Sequence, residues 1–349
     1  MREITDINSF LSLAQYHPIL DVRSPGEYKH AHIPSAYNFP LFTDEERTVV
    51  GKLYKQKSRE AAIKAGLDYF GVKMSKMVEA AEEIVKQHSK SPGHTNIVLV
   101  HCWRGGMRSA GVAWLLDLYG FKVYTLAGGY KAFRNLTLQQ FNDYYPLRVL
   151  GGYTGSGKTE VLHALRSSGQ RIIDLEGIAG HKGSAFGGIG LPYQPTQEMF
   201  ENELGMALYH LYAADDKTPV WIEDESQRIG MVNIPNSFWK TMREAPVYFL
   251  DIPFEQRLLF IVAAYGKLNK EDLLNAITRI QKRLGNLHAK NAMNYLLADD
   301  HKECFSILLR YYDKYYAKGL SERLGPLLTI RAEKVEAKTN GTLLTKQTQ

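Results

Sequence analysis

One stretch of the sequence settles the architecture of the second half of the chain: Gly152-Tyr153-Thr154-Gly155-Ser156-Gly157-Lys158-Thr159. It fits the pattern G-x-x-x-x-G-K-[ST], the P-loop that cradles phosphate groups on backbone N–H groups. A predicted strand, Arg148-Val149-Leu150, comes directly before it, and a predicted helix, Glu160 to Leu165, begins after it. Because a P-loop requires this context, pattern and context together predict an α/β domain with a diphosphate-binding loop.

The positions of this loop predict their own roles. Lys158 is expected to neutralise the outer phosphate, and the Thr159 hydroxyl to bind a Mg²⁺ ion. The acidic strand end Ile222-Glu223-Asp224-Glu225-Ser226 is expected to complete that metal site through Asp224, although three adjacent acids are also typical of a solvated turn. A P-loop binds any diphosphate with the same backbone groups, so the motif does not name the ligand. The residues predicted to bind phosphate are Gly152, Thr154, Gly155, Ser156, Gly157, Lys158 and Thr159.

A second anion-binding loop lies further towards the N-terminus: His101-Cys102-Trp103-Arg104-Gly105-Gly106-Met107-Arg108-Ser109. It follows the strand pattern Ile97-Val98-Leu99-Val100 and precedes a helical pattern, so its backbone N–H groups and the positive end of the helix dipole are expected to face one cavity. With Arg104 and Arg108 close by, this setting is expected to lower the pKa of the Cys102 thiol and supply thiolate. A buried structural role is the commoner fate of a free cysteine, but two arginines and two glycines directly after Cys102 favour a nucleophile.

Two enzymatic interpretations of the thiol loop compete. The spacing of Cys102 and Arg108 satisfies the pattern of Cys-dependent phosphatases, in which the arginine grips phosphate while the thiolate attacks phosphorus. The loop also resembles the active loop of rhodanese-type sulfurtransferases, and two flanking segments favour that resemblance: Asp21 to Asn38, and Gly120 to Tyr130. Many single-domain rhodaneses place the arginine one residue nearer the cysteine. The longer loop predicts a wider cradle, suited to an anion larger than a bare sulfur.

Both loops together, with Ile222-Glu223-Asp224-Glu225-Ser226-Gln227-Arg228-Ile229-Gly230 downstream, are similar to the bacterial tRNA 2-selenouridine synthase family over nearly the whole chain. The resemblance implies an α/β fold, with a rhodanese-like parallel-sheet domain over residues 1–138. A P-loop NTPase-like α/β domain then spans residues 146–349 and is mostly helical from about residue 254. The pattern weakens from Asn135 to Pro146, which places the boundary there.

The family resemblance also implies an activity. It indicates a transferase that converts 2-thiouridine at the wobble position of tRNA to 2-selenouridine through an S-geranylated intermediate, with geranyl diphosphate and selenophosphate as substrates. Cys102 is then expected to receive or position selenium, and Arg104 and Arg108 to bind the phosphate end of selenophosphate. Selenophosphate synthase is a candidate partner. The alternative, a Cys-dependent phosphatase fused to a nucleotide-binding P-loop domain, stays open.

Two further surfaces follow from that implied chemistry. Basic residues in the helical C-terminal part are expected to bind tRNA, and the tyrosines after them, Tyr311, Tyr312, Tyr315 and Tyr316, to offer rings for an unstacked base. Charge runs are usually solvated helix faces, and paired tyrosines usually belong to a core. An apolar geranyl chain needs an apolar slot, for which Phe186, Tyr193 and Phe200 are candidates by position, and the Gly-rich stretch from Gly180 to Gly187 is a candidate second wall. The predicted tRNA-binding residues are Lys267, Arg279, Lys282, Arg283 and Lys290.

Composition sets the remaining expectations. The chain has 349 residues, 44% hydrophobic and 23% charged, with no apolar run long enough to cross a bilayer and no signal-peptide pattern, so we expect a cytoplasmic protein without a membrane partner. Its two cysteines, Cys102 and Cys304, have no metal-ligand spacing, and neither haem, flavin nor zinc is expected. The formal charge of +6 permits a polyanionic partner. The polar tail, Lys338 to Gly341, is expected to be disordered.

Overall fold

The computed structural model describes residues 1–88, 96–212 and 218–348. The chain divides into two compact units, Met1–Gln140 and Phe141–Gln349. Each unit contains a five-stranded parallel sheet accompanied by helices, which confirms the predicted α/β fold class. Phe141 and Tyr145, which precede the first strand of the second unit, are buried in the core of that unit.

The sheet of the first unit has the strand order β1-β5-β4-β2-β3, and every neighbouring pair is parallel. Its strands are β1 (Arg2–Ile4), β2 (Ile19–Asp21), β3 (Tyr37–Asn38), β4 (Ile97–His101) and β5 (Lys122–Leu126). The central strand β4 is rich in β-branched residues and almost wholly buried, as a strand covered on both faces must be. The edge strands β1 and β3 were not predicted, because two or three residues carry too little periodicity to be read.

Seven helices of the described part accompany this sheet: α1 (Ile7–Ala14), α2 (Pro25–His30), α3 (Asp44–Gln56), α4 (Arg59–Gly71), α5 (Met74–His88), α6 (Met107–Tyr119) and α7 (Gly129–Gln140). Helix α6 ends at Gly120, which adopts the left-handed conformation with φ 117°. In a parallel sheet the carboxyl ends of all strands meet at one edge. The segments after β2, β4 and β5 therefore converge, and these are the three segments that resemble rhodaneses.

The sheet of the second unit has the order β12-β11-β6-β8-β7, again parallel throughout. Its strands are β6 (Leu147–Gly152), β7 (Ile172–Ile173), β8 (Val220–Glu223), β11 (Val247–Asp251) and β12 (Leu327–Arg331), and a separate antiparallel pair is formed by β9 (Arg228–Ile229) and β10 (Val232–Asn233). β6 is central, and the P-loop joins its carboxyl end to α8 (Lys158–Ser167). Glu223, at the carboxyl end of β8, therefore lies at the same edge as the P-loop.

Helices α9 (Leu175–Ala179), α10 (Gln197–Tyr212) and α11 (Asn236–Glu244) complete the part of the second unit around the sheet. Four more helices follow: α12 (Phe254–Tyr265), α13 (Lys270–Leu284), α14 (Asn286–Leu297) and α15 (His301–Ser321). They share a core of their own, which includes Leu258, Ile277, Leu296 and Phe305 and also takes in Phe186 from the Gly-rich stretch. None of the described helices of the chain is long and apolar enough to span a membrane.

The prediction of a disordered C-terminal tail is wrong. After β12 the chain forms α16 (Ala337–Lys346), which packs on α8. Leu344 is fully buried in a cluster with Val161 and Leu165, and the Asn340 side chain donates a hydrogen bond to the Lys334 carbonyl at 2.9 Å. The polar composition misled the prediction, because a few apolar contacts hold this helix: the buried Leu344, the partly buried Leu343 and the approach of Gly341 to α8.

Candidate functional site

The Cys102 loop connects β4 to α6 and buries its thiol, which is 3% exposed. The Gly106 backbone N–H donates to Sγ at 3.3 Å, and the Ser109 hydroxyl lies 3.2 Å from Sγ. Burial by itself raises the pKa of this thiol, but hydrogen bonds from the Ser109 side chain and from the backbone N–H groups of Ser109, Gly106 and Arg104 outweigh it and hold the pKa below its ordinary value. The geometry thus builds a cradle for a thiolate.

The two arginines of this loop have different surroundings. Arg104 is exposed to solvent at the loop. The Arg108 guanidinium donates to both carboxylate oxygens of Glu27, at 2.6 and 3.4 Å, and Arg47 lies 3.6 Å from the same carboxylate. Burial raises the pKa of Glu27, but the bond and the charge of Arg108 hold it below its usual range. A phosphatase-type grip on phosphate by Arg108 would require the guanidinium to leave Glu27.

Sequence reasoning missed Glu27 and Ser109 as parts of this site. Glu27 closes a capping box at the start of α2, where its carboxylate accepts from the Ser24 backbone N–H at 3.1 Å. The spacing Ser24-x-x-Glu27 could have signalled the cap, but not the contact with Arg108, which is 81 residues away along the chain. Ser109 belongs to the predicted loop, but its position in the sequence does not indicate that its hydroxyl contacts the Cys102 thiol.

A buried ion pair between Arg23 and Asp21 lies next to the thiol loop and helps to hold it in place. Arg23 is 1% exposed and donates to Asp21 at 2.6 Å and to the Ala31 carbonyl at 2.7 Å. Its guanidinium lies 4.0 Å from the ring centre of Tyr130, whose backbone N–H donates to the Cys102 carbonyl at 2.8 Å. The segment beginning at Asp21 and the segment ending at Tyr130 therefore fix the backbone of the cysteine loop.

Gly129 shows why this second segment needs glycine. A Cβ atom at Gly129 would lie 2.3 Å from the Cys102 carbonyl oxygen and 2.6 Å from the Gly105 nitrogen, and φ is 54°. Any other residue would push the thiol loop away. The close approach is thus part of the cradle.

The predicted phosphate-binding residues come together in the second unit. Gly152 ends β6, residues 153–157 form the loop, and Lys158 and Thr159 open α8. The Lys158 Nζ donates to the Gly152 carbonyl at 3.1 Å, and Ser156 is fully buried with its hydroxyl unpartnered among the described residues. The backbone N–H groups at the start of α8 and the ammonium group of Lys158 are donors of the kind that an anion accepts.

Two side chains from elsewhere hold the P-loop in shape. Arg257, which is 3% exposed, donates to the Thr154 carbonyl at 3.1 Å and forms a two-pronged ion pair with Asp313 at 2.8 and 2.7 Å. The Tyr316 hydroxyl accepts from the Gly152 backbone N–H at 3.1 Å. Neither contact was predicted, since the partners are 103 and 164 residues apart along the chain.

The predicted metal pair, Thr159 and Asp224, is not joined as expected. Asp224 contacts Arg323 and accepts a hydrogen bond from Tyr316. Thr159 instead donates its hydroxyl to Glu176 at 2.7 Å, and the Glu176 backbone N–H donates to the Glu223 carboxylate at 3.2 Å. The acids beside Thr159 are thus Glu176 and Glu223, because the side chain of Asp224 is occupied by partners from the helical part.

Glu223 carries an unusual charge state. It is fully buried, and its second carboxylate oxygen has no hydrogen-bond partner among the described residues. Burial, with the negative charges of Glu176 and Asp174 nearby, raises its pKa to about 8. Burial and the charge of Glu176 also raise the pKa of Glu225 well above its usual value, against the attraction of Lys158. When ionised, these carboxylates repel one another, so a cation bound between them would reduce the repulsion.

Magnesium fits this donor set when a bound phosphate supplies further ligands. Among the described residues, no group of three or more His, Cys, Asp and Glu side chains is placed to hold a metal ion alone. Mg²⁺ is usually bound by one or two carboxylates together with substrate phosphates. The Thr159 hydroxyl, Glu176 and the unpartnered oxygen of Glu223 match that requirement beside a phosphate cradle.

The predicted tRNA-binding residues are exposed on the helical part. Four of them, Arg279, Lys282, Arg283 and Lys290, lie on α13 and α14, and Lys267 lies in the turn before α13. The four predicted tyrosines have different surroundings: Tyr315 is 60% exposed, Tyr311 and Tyr312 are partly buried against the core of the helices, and Tyr316 is at the P-loop. Tyr315 is therefore the most exposed of these rings.

The fold and the two loops define a class of protein: a rhodanese-like domain with a low-pKa thiol, followed in the same chain by a P-loop α/β domain. A model of rhodanese-like domains matches residues 6–136, and a model of the tRNA 2-selenouridine synthase AAA domain matches residues 145–340. The chain belongs to the tRNA 2-selenouridine synthase family.

Several members of this family match this chain over most of its length. A tRNA 2-selenouridine synthase of Marinobacter nauticus is 35% identical over 89% of this chain and 90% of its own. One from Shewanella piezotolerans is 34% identical over 90% of this chain and 92% of its own. One from Nitrosomonas europaea is 37% identical over 69% of this chain, a match that spans 61% of that relative.

Proposed function

We propose that this chain converts 2-thiouridine at the wobble position of tRNA to 2-selenouridine through an S-geranylated intermediate, with geranyl diphosphate and selenophosphate as substrates. The observation that carries the proposal is the presence, within the family match, of a thiol cradle and a diphosphate cradle in one chain. Relatives named tRNA 2-selenouridine synthase support the product. We expect the protein in the cytoplasm, where its tRNA substrate is found. Selenophosphate synthase is a candidate partner.

The P-loop suits the first step. The 2-thio sulfur attacks C1 of geranyl diphosphate, the bond from C1 to the diphosphate oxygen breaks, and the proton on N3 of the base is released. Lys158 and the backbone N–H groups at the start of α8 would stabilise the departing diphosphate, whose charge grows as the bond breaks. Arg257 would keep the loop in place, because its guanidinium donates a hydrogen bond to the Thr154 carbonyl.

A divalent cation fits beside this cradle. Thr159, Glu176 and Glu223 would hold it together with the diphosphate. When bound, Mg²⁺ supplies positive charge to a leaving group. Glu223, whose pKa is about 8, would give up its proton as positive charge arrives.

The thiol cradle suits the second step. Alkylation turns the thiocarbonyl sulfur into a thiolate leaving group. A hydroselenide equivalent, released from selenophosphate as water takes up the phosphoryl group, adds to C2 of the base, and geranylthiolate departs. The Cys102 thiolate would position the selenium of the donor, and the exposed Arg104 would bind the phosphate end. Arg108 would join Arg104 once its guanidinium leaves Glu27.

Mass spectrometry of wobble nucleosides tests the proposal. Purified protein is incubated with 2-thiouridine-containing tRNA, geranyl diphosphate and selenophosphate. We expect S-geranyl-2-thiouridine when selenophosphate is omitted, and 2-selenouridine when both donors are present. Lys158→Ala should block geranylation, and Cys102→Ala should block only selenation.

Cys304→Ala is the matched control, because Cys304 is a buried cysteine of the helical core. An unchanged nucleoside profile with the intact protein would refute the proposal. Hydrolysis of p-nitrophenyl phosphate that depends on Cys102 would favour the phosphatase alternative instead.

A further inference from the structure

The carboxylate of Glu27, beside the thiol loop, faces two guanidinium groups. Arg108 Nη1 donates to it at 2.6 Å, whereas Arg47 Nε lies 3.6 Å away, beyond hydrogen-bond range. The side chain of Glu27 is only 25% exposed and that of Arg108 19%, so solvent screens their contact only in part. Glu27 therefore has one bonded guanidinium partner and a second one close by.

Two contacts hold the backbone around Glu27 in place. The Glu27 carboxylate accepts from the Ser24 backbone N–H at 3.1 Å, which closes the capping box of α2. The Gly26 backbone N–H donates to Asp44, the first residue of α3, at 2.9 Å. Since α2 is fixed at this end, an exchange of partners at the carboxylate has to come from movement of the arginines.

Arg47 can become the second partner of Glu27. Its Nε atom is buried and has no hydrogen-bond partner among the described residues. Its guanidinium lies against Gly51, one turn further along α3, where a Cβ atom would come within 2.5 Å of Nη1. An open cavity of about 240 Å³ lies beside these two residues, and its lining also includes Lys52 and Lys55. The guanidinium therefore has room to turn towards Glu27.

Arg108 can grip only one anion at a time with both of its terminal nitrogens. A guanidinium binds a carboxylate or a phosphate through the same planar pair of N–H groups, and both terminal nitrogens of Arg108 point to Glu27. Arg108 is the second residue of α6, directly after the loop that holds the Cys102 thiolate through the Gly106 backbone N–H. An anion bound at this loop therefore competes with Glu27 for Arg108.

We propose that Glu27 is a positioning residue that competes with bound phosphate for Arg108, and that Arg47 pairs with Glu27 while Arg108 holds the phosphate. The exchange leaves the half-buried carboxylate with a guanidinium partner in both states. It makes phosphate binding weaker than Arg104 and Arg108 alone would allow, so the phosphate left after selenium transfer is released. The inference rests on the proposed function for the origin of that phosphate, whereas the competition rests on the contacts around Glu27.

Protection of Cys102 by inorganic phosphate tests the exchange. The full chain is alkylated with iodoacetamide at increasing phosphate concentrations, and the Cys102 peptide is quantified by mass spectrometry. The concentration that halves the rate gives the dissociation constant at this loop, and phosphate bound at the P-loop does not enter the measurement. Comparing rates with and without phosphate in each variant also cancels any change in the reactivity of the thiol itself.

Glu27→Gln removes the charge of the side chain and keeps its shape. Glutamine at this position of a capping box still accepts from the Ser24 backbone N–H, so α2 should remain capped. The bond to Arg108 becomes weaker, because a neutral acceptor replaces a charged one. We expect phosphate to bind about tenfold more tightly to this variant, and Arg108→Ala in the same background should abolish the gain.

Arg47→Ala should have the opposite effect. Without Arg47, the Glu27 carboxylate has no guanidinium partner once Arg108 leaves, so phosphate should bind about threefold more weakly. Lys52→Ala is the matched control, because it removes one positive charge from an exposed position of the same helix, and it should change the constant by less than about twofold. In the Glu27→Gln background, Arg47→Ala should lose its effect.

Three results would overturn the proposal: phosphate that binds Glu27→Gln no more tightly than the unchanged protein, equal effects of Arg47→Ala and Lys52→Ala, or no protection of Cys102 in any variant. A purely structural Glu27 would give the first result together with lower stability in urea denaturation. Phosphate binding is measured without tRNA or selenophosphate, so its outcome is separate from that of the nucleoside assay. If phosphate binding follows the expected order and no tRNA is modified, the competition stands and the proposed function alone fails.

Discussion

Removing the Ser109 hydroxyl should raise the pKa of Cys102. Ser109 is 1% exposed and its Oγ lies 3.2 Å from the sulfur, so solvent cannot replace the contact. The same hydroxyl lies 3.0 Å from the Gly106 carbonyl oxygen. One proton cannot serve both acceptors, so the hydroxyl must turn from Gly106 to the sulfur when the thiolate forms.

This competition sets the size of the effect. A hydrogen bond to a charged group stabilises it by about 1.5–3 kcal/mol, and losing the neutral bond to Gly106 costs about 0.5–1.5 kcal/mol. The difference is about 1.4 kcal/mol, or one pKa unit. In Ser109→Ala the pKa of Cys102 should therefore rise by about one unit, and the thiolate fraction below that pKa should fall about tenfold.

The assay is the rate of alkylation by iodoacetamide as a function of pH, with the modified peptide identified by mass spectrometry. Cys304 does not interfere, because burial, with the charge of Asp300, raises its pKa to about 12. Ser109→Thr keeps the hydroxyl and should restore most of the low pKa. If Ser109→Ala titrates like the unchanged protein, the hydroxyl does not stabilise the thiolate and the backbone N–H groups act alone.

Three other predictions concern the second unit. Arg257→Ala should lower the free energy of unfolding by about 3 kcal/mol, because it breaks a largely buried ion pair, and it should weaken diphosphate binding. Urea denaturation measures the first effect and calorimetry the second. Arg166 is exposed, so Arg166→Ala is the control, and an equally small effect of both substitutions would contradict the role of Arg257. Glu223 has a folded-state pKa raised to about 8, so its contribution to stability is complete below its unfolded value near 4.5 and is lost as pH rises through 8. Glu223→Gln should remove this loss, on the order of 5 kcal/mol, and a pH dependence of urea denaturation between pH 4.5 and 8 that the substitution leaves unchanged would show that Glu223 titrates normally. The double variant Lys282→Ala and Lys290→Ala should weaken tRNA binding, and the slope of the logarithm of the tRNA association constant against the logarithm of the salt concentration should fall by about two. The control is the double variant Lys52→Ala and Lys55→Ala, two exposed residues of α3, which should have neither effect. Equal effects of the two double variants would mean that only net charge matters.

The sequence by itself determined both loops and the fold class. Phosphate and thiolate cradles are made by consecutive backbone groups between a strand and a helix, so their spacing is written in one short segment, as in Gly152 to Thr159 and His101 to Ser109. The central strands β4 and β6 were equally legible, because strands buried on both faces are short apolar runs. The edge strand β12 was not predicted, although it begins with Leu327 and Leu328; in the structure it is largely exposed.

Only the tertiary structure decided which side chains serve each cradle. Glu223 and Asp224 are adjacent in sequence, yet Glu223 lies beside Glu176 near Thr159 while Asp224 is held by Tyr316 and Arg323. No local pattern separates the two acids, because their partners lie 47 to 99 residues away and are brought close by the order of the strands and by the packing of α15. The support of the P-loop is likewise a product of packing, since Arg257 of α12 and Tyr316 of α15 reach it only because these helices pack beside the end of β6.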